Sequence, residues 1–272
     1  MSWPTVSMFI VLLFTIACAY ILSLSGAIPL WGGTIINSIV GYLSFSVAHD
    51  SIHRSLSTNT RLNDLMGQGA IILFSPYIGI KLFRWVHILH HRFANGPKDP
   101  DIILQGAWWT LPFRWILIDV LYLRHVIKNH KTCPKPSLNE TIVMALITCV
   151  VFLILISMGY WMELLMLWFI PSRLVMLMLG FTFFWLPHAP HDTSQEENFT
   201  RATTIRQGYE TLLSPLLQYQ NFHLIHHLFP MTPFYNNGKV WKLIEPELRQ
   251  YDLAIQEGLA IQPTIVLASP KN

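Results

Sequence analysis

The sequence predicts an all-α integral membrane fold with four transmembrane helices and its polar segments gathered on one membrane face. Three observations predict it. The chain is 52% hydrophobic and 12% charged, against roughly 25% charged residues in average soluble domains. Residues 1–48 contain no Asp, Glu, Lys or Arg, which is a bilayer composition. All 12 histidines fall within 49–130 or 188–227, outside the apolar runs. The formal charge of +3 gives no footing for nucleic acid. Cys18, Cys133 and Cys149 show no C-x-x-C spacing and suggest neither a zinc ribbon nor a disulfide framework. The first apolar run lacks the basic n-region of a secretory signal.

Met8–Leu24 is the first expected span, and Ile28–Ala48 the second, with Ser25-Gly26 and Pro29 breaking the helix between them. Each approaches the roughly 20 residues that cross a hydrocarbon core. His49 and His53 lie on the continuation of the second. Ile71–Phe83 is apolar but short and interrupted by Pro76 and Gly79, and reads as re-entrant or interfacial. Asn95–Asp101 is a polar turn, and Trp108, Trp109, Trp115 and Tyr122 suit an interfacial segment. Ile142–Met158 is the third span. Trp161–Leu186 is the fourth, with Glu163 near its start, Arg173 inside it and Pro171 placed to kink it. Glu245–Gln256 reads as an amphipathic helix, with Pro246 in its first turn and Gly258 beyond its end.

Residues 49–140 carry 11 of the 18 Lys and Arg, and residues 187–272 carry six. Basic loops face the cytoplasm, and four spans put both regions on that side together with the N-terminus. The expected organisation is one domain over 1–272, with 49–140 and 187–272 cytosolic or interfacial and both termini cytoplasmic.

The chemistry lies in the histidine spacing. His87, His90 and His91 stand at i, i+3, i+4, and so do His223, His226 and His227; His49 and His53 stand at i, i+4. On helices each group shares one face. Neutral imidazole binds iron, zinc, copper or nickel. Eight such ligands exceed the four that usually satisfy one zinc and point to two metals. Iron suits a nitrogen-rich site beside hydrocarbon because it can activate dioxygen.

His49-Asp50-Ser51-Ile52-His53, His87-Ile88-Leu89-His90-His91 and His223-Leu224-Ile225-His226-His227 resemble the three histidine boxes of the membrane fatty acid desaturase and hydroxylase superfamily. The likeness runs from about residue 40 to 240. Finer features are similar to the beta-carotene ring hydroxylases: Asn95 through Lys98-Asp99-Pro100-Asp101, Trp185-Leu186-Pro187-His188, and Gln220-Asn221-Phe222 leading into the third box. Carotenoid ketolases and some acyl desaturases share parts of this pattern. The resemblance implies four spans under a cytosolic helical cap, two Fe ions held by the box histidines, O2 as co-substrate, and an external electron donor such as a ferredoxin or a cytochrome. It extends the ligand set to His188. Asp50, Asp99, Asp101, Asp192 and Asn221 are candidates to orient ligand rings through their other nitrogen. His191 departs from the hydroxylase pattern, and solvation, support of a ligand and ligation stay open for it. His125 and His130 lie outside every box.

The reaction this implies is oxidation of an unactivated C–H bond in a lipid, either hydroxylation of a carotenoid ring or introduction of a double bond into a fatty acyl chain. The chain supplies no nucleotide fold: Gly67-Gln68-Gly69 lacks the third glycine of a dinucleotide fingerprint. Lys81, Arg84, Arg92, Lys98, Arg201 and Arg206 would steer an acidic donor or simply mark the cytoplasmic side. A transporter running on its histidines and Arg173 would need polar residues deep in several spans, and the first two have no formal charge. A zinc hydrolase would need H-E-x-x-H, which does not occur.

Overall fold

The computed structural model describes residues 1–268; Lys271, counted above among the basic residues, lies outside them. Its helices, in chain order, are α1 (Trp3–Leu24), α2 (Leu30–Ile52), α3 (Thr60–Ile72), α4 (Ile80–Phe93), α5 (Leu111–Ile116), α6 (Ile118–Lys128), α7 (Lys135–Ser157), α8 (Trp161–His188), α9 (Glu210–Leu216), α10 (His223–Leu228) and α11 (Asn237–Leu248). Three short strands, β1 (Thr204–Gln207), β2 (Leu253–Glu257) and β3 (Thr264–Val266), complete the described elements. Four helices, α1, α2, α7 and α8, are long and apolar enough to cross a membrane. The chain divides into two compact units, Met1–Trp85 with Asp119–Met178, and Val86–Ile118 with the chain from Leu179 onward.

In the first unit α2 is the inner helix, packed against α1, α3 and the first half of α8. Its sequence explains why: it carries Thr34, Asn37, Ser38, Ser44 and Ser46, all buried. Polar groups at that depth need partners: Ser38 and Ser44 bond carbonyls of α2 itself, and α8 supplies partners for Thr34 and Asn37. Pro171 has no N–H to give the carbonyl four residues back, at Leu167, and residues Leu165–Phe169 wind as a π-turn. The freed carbonyls are taken from outside the helix. Asn37 Nδ2 donates to Leu167 O at 2.7 Å, Tyr20 Oη to the same oxygen at 3.2 Å, and Thr34 Oγ1 to Met166 O at 2.6 Å. The expected break at Pro171 is therefore a wide turn whose open carbonyls bind α1 and α2. By contrast, α7 buries little beyond Ser137 and Thr148.

Arg173 has a carboxylate partner, and it is not Glu163. Its guanidinium forks onto Asp119 of α6, Nη1 to Oδ1 at 3.0 Å and Nη2 to Oδ2 at 2.6 Å, and Nη2 also reaches Tyr77 Oη at 3.2 Å. Tyr77 Oη in turn closes on Asp119. Burial opposes the Asp119 charge, but Arg173 and Tyr77 outweigh it and hold its carboxyl below the usual range. Burial and then Asp119 push the Tyr77 phenol up to about 12. The stretch 71–83, expected to be re-entrant or interfacial, is the end of α3, a turn, and the start of α4. Side chains of α7 cap that start: Thr141 Oγ1 accepts from Gly79 N at 3.2 Å and Glu140 Oε1 from Lys81 N at 3.3 Å.

The second unit holds a core of Ile205, Phe222, Leu224, Ile225, Trp241, Leu248, Leu253 and Ile255. It forms where β1, β2, α10 and α11 meet. β1 pairs in parallel with β2, Thr204 opposite Ala254, and β2 pairs antiparallel with β3, Leu253 opposite Val266. These strands correct the all-α expectation, and they correct the helix expected over Glu245–Gln256. The helix ends at Leu248, and Leu253–Glu257 form a strand whose first four residues are all buried. Buried Gln256 ties this sheet to α8, its Nε2 donating to Leu186 O at 3.1 Å. Trp115 of α5 packs against Gly180, where a Cβ would stand 2.3 Å from the Trp115 Cβ. No side chain fits there, which is why this position in α8 is glycine.

Candidate metal centre

Each group of histidines is set by a different local device. His49 and His53 end α2 in the first unit, one turn apart, with ring centroids at 4.9 Å. His49 is buried and stacks on Phe45 at 5.9 Å. Asp50 points the other way, accepting from the Thr5 hydroxyl at 3.0 Å.

In the second unit the histidines of α4, α10 and the end of α8 converge. His90, His188, His223 and His227 are all buried, and their four ligand nitrogens lie within 4.8 Å of one another. His223 Nε2 stands 2.9 Å from His188 Nε2 and 3.2 Å from His227 Nε2. A second trio is drawn together beside it: His91 Nε2 lies 3.0 Å from His87 Nε2 and 2.9 Å from His226 Nε2. Nitrogens bound at about 2.0–2.1 Å to one tetrahedral ion stand roughly 3.3 Å apart, so these spacings fit a shared cation. Burial, followed by the neighbouring His91, His223, His90 and His188, holds the His227 imidazole well below its usual value. The group is a buried pocket of nitrogen donors.

Hydrogen bonds on the far ring edges decide which nitrogen faces inward. Gln220 Oε1 accepts from His223 Nδ1 at 2.5 Å. Asp99 Oδ1 accepts from His90 Nδ1 at 3.0 Å, and Asp101 Oδ2 lies 3.2 Å from the same atom. Burial opposes charge on His90, but Asp101 and then Asp99 overcome it, and the imidazole is pushed up to about 9. A carboxylate or amide on Nδ1–H leaves the Nε2 lone pair free for metal. The Nδ1 atoms of His188 and His227 have no hydrogen-bond partner among the described residues.

The aspartates are held by their loop. Asp99 Oδ2 accepts from Asn95 N at 2.8 Å, and Asn95 Nδ2 donates to Thr193 O and Ala202 O at 3.0 and 2.8 Å. Trp115 Nε1 donates to Leu104 O at 3.3 Å, at the end of the turn that carries Asp101. Two other expected orienting residues bond elsewhere: Asp192 is exposed and accepts from Thr193 Oγ1 at 2.9 Å, and Asn221 Nδ2 donates to Ser214 Oγ at 3.1 Å. His191 lies outside the converging nitrogens, 5.5 Å from the Trp185 ring, and burial lowers its imidazole to about 4. His125 and His130 sit in and after α6, bonded to Asn129 and to Ile127 O.

Sequence reasoning missed Gln220, although its place three residues before His223 is the signal, and chose Asn221. It also read Arg84 as surface charge. Only 12% of the Arg84 side chain is exposed, and it is fully engaged with the end of α2.

The fatty acid desaturase family model matches residues 25–258. A beta-carotene ketolase from Paracoccus is 29% identical over 193 residues, covering 70% of this chain and 70% of its own length. The chloroplastic omega-6 fatty acid desaturase of Glycine max is 27% identical over 81% of this chain and 56% of its own length. The dihydrorhizobitoxine desaturase of Bradyrhizobium elkanii is 27% identical over 73% of this chain and 62% of its own.

Proposed function

Since the chain belongs to the fatty acid desaturase family, we propose that it is a membrane oxidoreductase that uses dioxygen and two irons to oxidise an unactivated C–H bond of a lipophilic substrate. The observation that carries this is the meeting of four buried imidazoles at His90, His188, His223 and His227. The donor set fits iron: all nitrogen, enclosed, with ring orientation fixed by Asp99, Asp101 and Gln220. His87, His91 and His226 would hold the second iron, and the box pattern implies His49 and His53 as its further ligands. When bound, the two irons supply the one-electron steps that activate dioxygen, with electrons drawn from an external ferredoxin or cytochrome.

The chain's own part is to bind, orient and exclude water. Fixed imidazoles keep the metals in one geometry through the redox cycle. The four apolar helices insert in the bilayer, with the histidines and both termini on the cytoplasmic side. A lipid substrate enters between helices without crossing water. The Thr34 hydroxyl and the Asn37 amide N–H are bonded inside the spans, which reduces the polar surface a hydrocarbon would meet there.

A carotenoid ring is the first substrate reading, supported by the Trp185–His188 and Gln220–Pro230 patterns and by the carotene ketolase relative. Acyl-chain desaturation is the second, favoured by the omega-6 desaturase that aligns with 81% of the chain. Expression in a host that makes beta-carotene, with pigment and fatty-acid profiling, separates them. New oxygenated pigment supports the first, and new acyl double bonds support the second. Metal analysis of the purified protein should give two irons per chain; one zinc, or no metal, would end the proposal.

A further inference from the structure

We infer that Arg84 is the positioning residue that sets the first histidine box, by binding the open end of α2 from the helix that carries the second box. The last carbonyls of a helix have no partner within it. At the end of α2, Arg84 Nε donates to Ile52 O at 3.0 Å and Nη2 to Ser51 O at 3.1 Å. These carbonyls lie just before His53 and follow His49 by two and three residues. The guanidinium is also the favourable charge for a helix C-terminus. Its other face is fixed by Asp64 of α3, with Nη1 at 3.2 Å from Oδ2 and Nη2 at 2.5 Å from Oδ1.

The surroundings admit little slack. Asn63 Nδ2 donates to Ser51 O at 2.8 Å, and Ser51 Oγ returns a bond to Asn63 O at 2.8 Å. A Cβ on Gly67 would lie 2.0 Å from Ser51 Oγ, so α3 touches α2 at this point. Arg84 stands one turn before His87 on α4, on the same helical face. Arg84 thus ties the start of α4 to the backbone of the first box. The planar fork matters here, because a lysine ammonium cannot hold two carbonyls and a carboxylate in one plane.

The proposal rests on the two-metal reading above, so its test reports both. Full-length protein in detergent, stripped of metal, is titrated with cobalt(II) and followed by visible absorption. Wild type should take up two equivalents; fewer would overturn the two-metal reading, and this inference with it. Arg84→Lys should keep one equivalent at wild-type affinity, held by His90, His188, His223 and His227, and weaken the other tenfold or more with an altered spectrum. The retained equivalent reports that the chain is folded. Asp64→Asn should weaken the same equivalent by a smaller factor. If Arg84→Lys binds both equivalents with wild-type affinity and spectrum, Arg84 does not position the box. If Arg84→Lys loses both together, Asp64→Asn decides: selective loss of one supports the role, and retention of both overturns it.

Discussion

Gln220 and the pair Asp99 and Asp101 act on ligands they do not replace. Each takes up the Nδ1 proton of a ring whose Nε2 faces the cluster. Removing such an acceptor typically costs roughly 10–100-fold in metal affinity. Gln220→Leu should therefore bind iron that much more weakly, with its helix content unchanged by circular dichroism; unaltered affinity would show that His223 needs no such support. His227→Ala removes one of four nitrogens outright and should lower iron toward one per chain by elemental analysis. The spacing of the eight box histidines was legible in the sequence because it is local and helical. Gln220 was within reach for the same reason. Arg84 was not: nothing in residues 80–88 says that the backbone of Ser51 and Ile52 will lie against them.

At the scale of elements, the π-turn at Leu165–Phe169 exchanges internal hydrogen bonds for bonds to its neighbours. Asn37→Leu would leave the Leu167 carbonyl to Tyr20 alone, and an under-satisfied buried acceptor costs about 1–3 kcal/mol. Thermal melting in detergent should show that loss, and an unchanged melting point would contradict the role given to Asn37. Gly180→Ala forces a methyl into the Trp115 ring stem, an overpacking typically worth about 1–3 kcal/mol. The same melting experiment reads it. The Arg173–Asp119 clamp carries a pH signature. The folded carboxyl of Asp119 lies below its ordinary 3.8, so the clamp stabilises fully above that value and is lost as pH falls through the lower one. The melting-point difference between wild type and Asp119→Asn should be constant from pH 7 to about 5 and shrink on further acidification; a difference that grows with acid would reverse the assignment. Pro171 announced a disturbance in α8, but not its form, since the π-turn depends on which donors α1 and α2 bring to it. Arg173 was legible as unusual, and its partner on α6 was not.

For the molecule as a whole, composition was the most informative signal, because crossing a bilayer demands long uncharged runs and little else mimics them. Helices occupy all four apolar stretches, and two of them start earlier than expected, at Trp3 and Lys135. The three-stranded sheet was illegible for the opposite reason. Strands of three to five residues offer too little pattern, and their pairing joins residues about 50 apart. If α1, α2, α7 and α8 lie in a bilayer, the protein should stay with membranes through alkaline carbonate washing; release into the wash would contradict the transmembrane reading. The bond from Gln256 to the carbonyl of Leu186 spans 70 residues. Leu186 directly precedes the proline that leads to His188, so a nascent chain presents that ligand long before the sheet that steadies it has been synthesised. Iron supplied during translation would meet a loose donor, and stable loading belongs after the ribosome has passed residue 256.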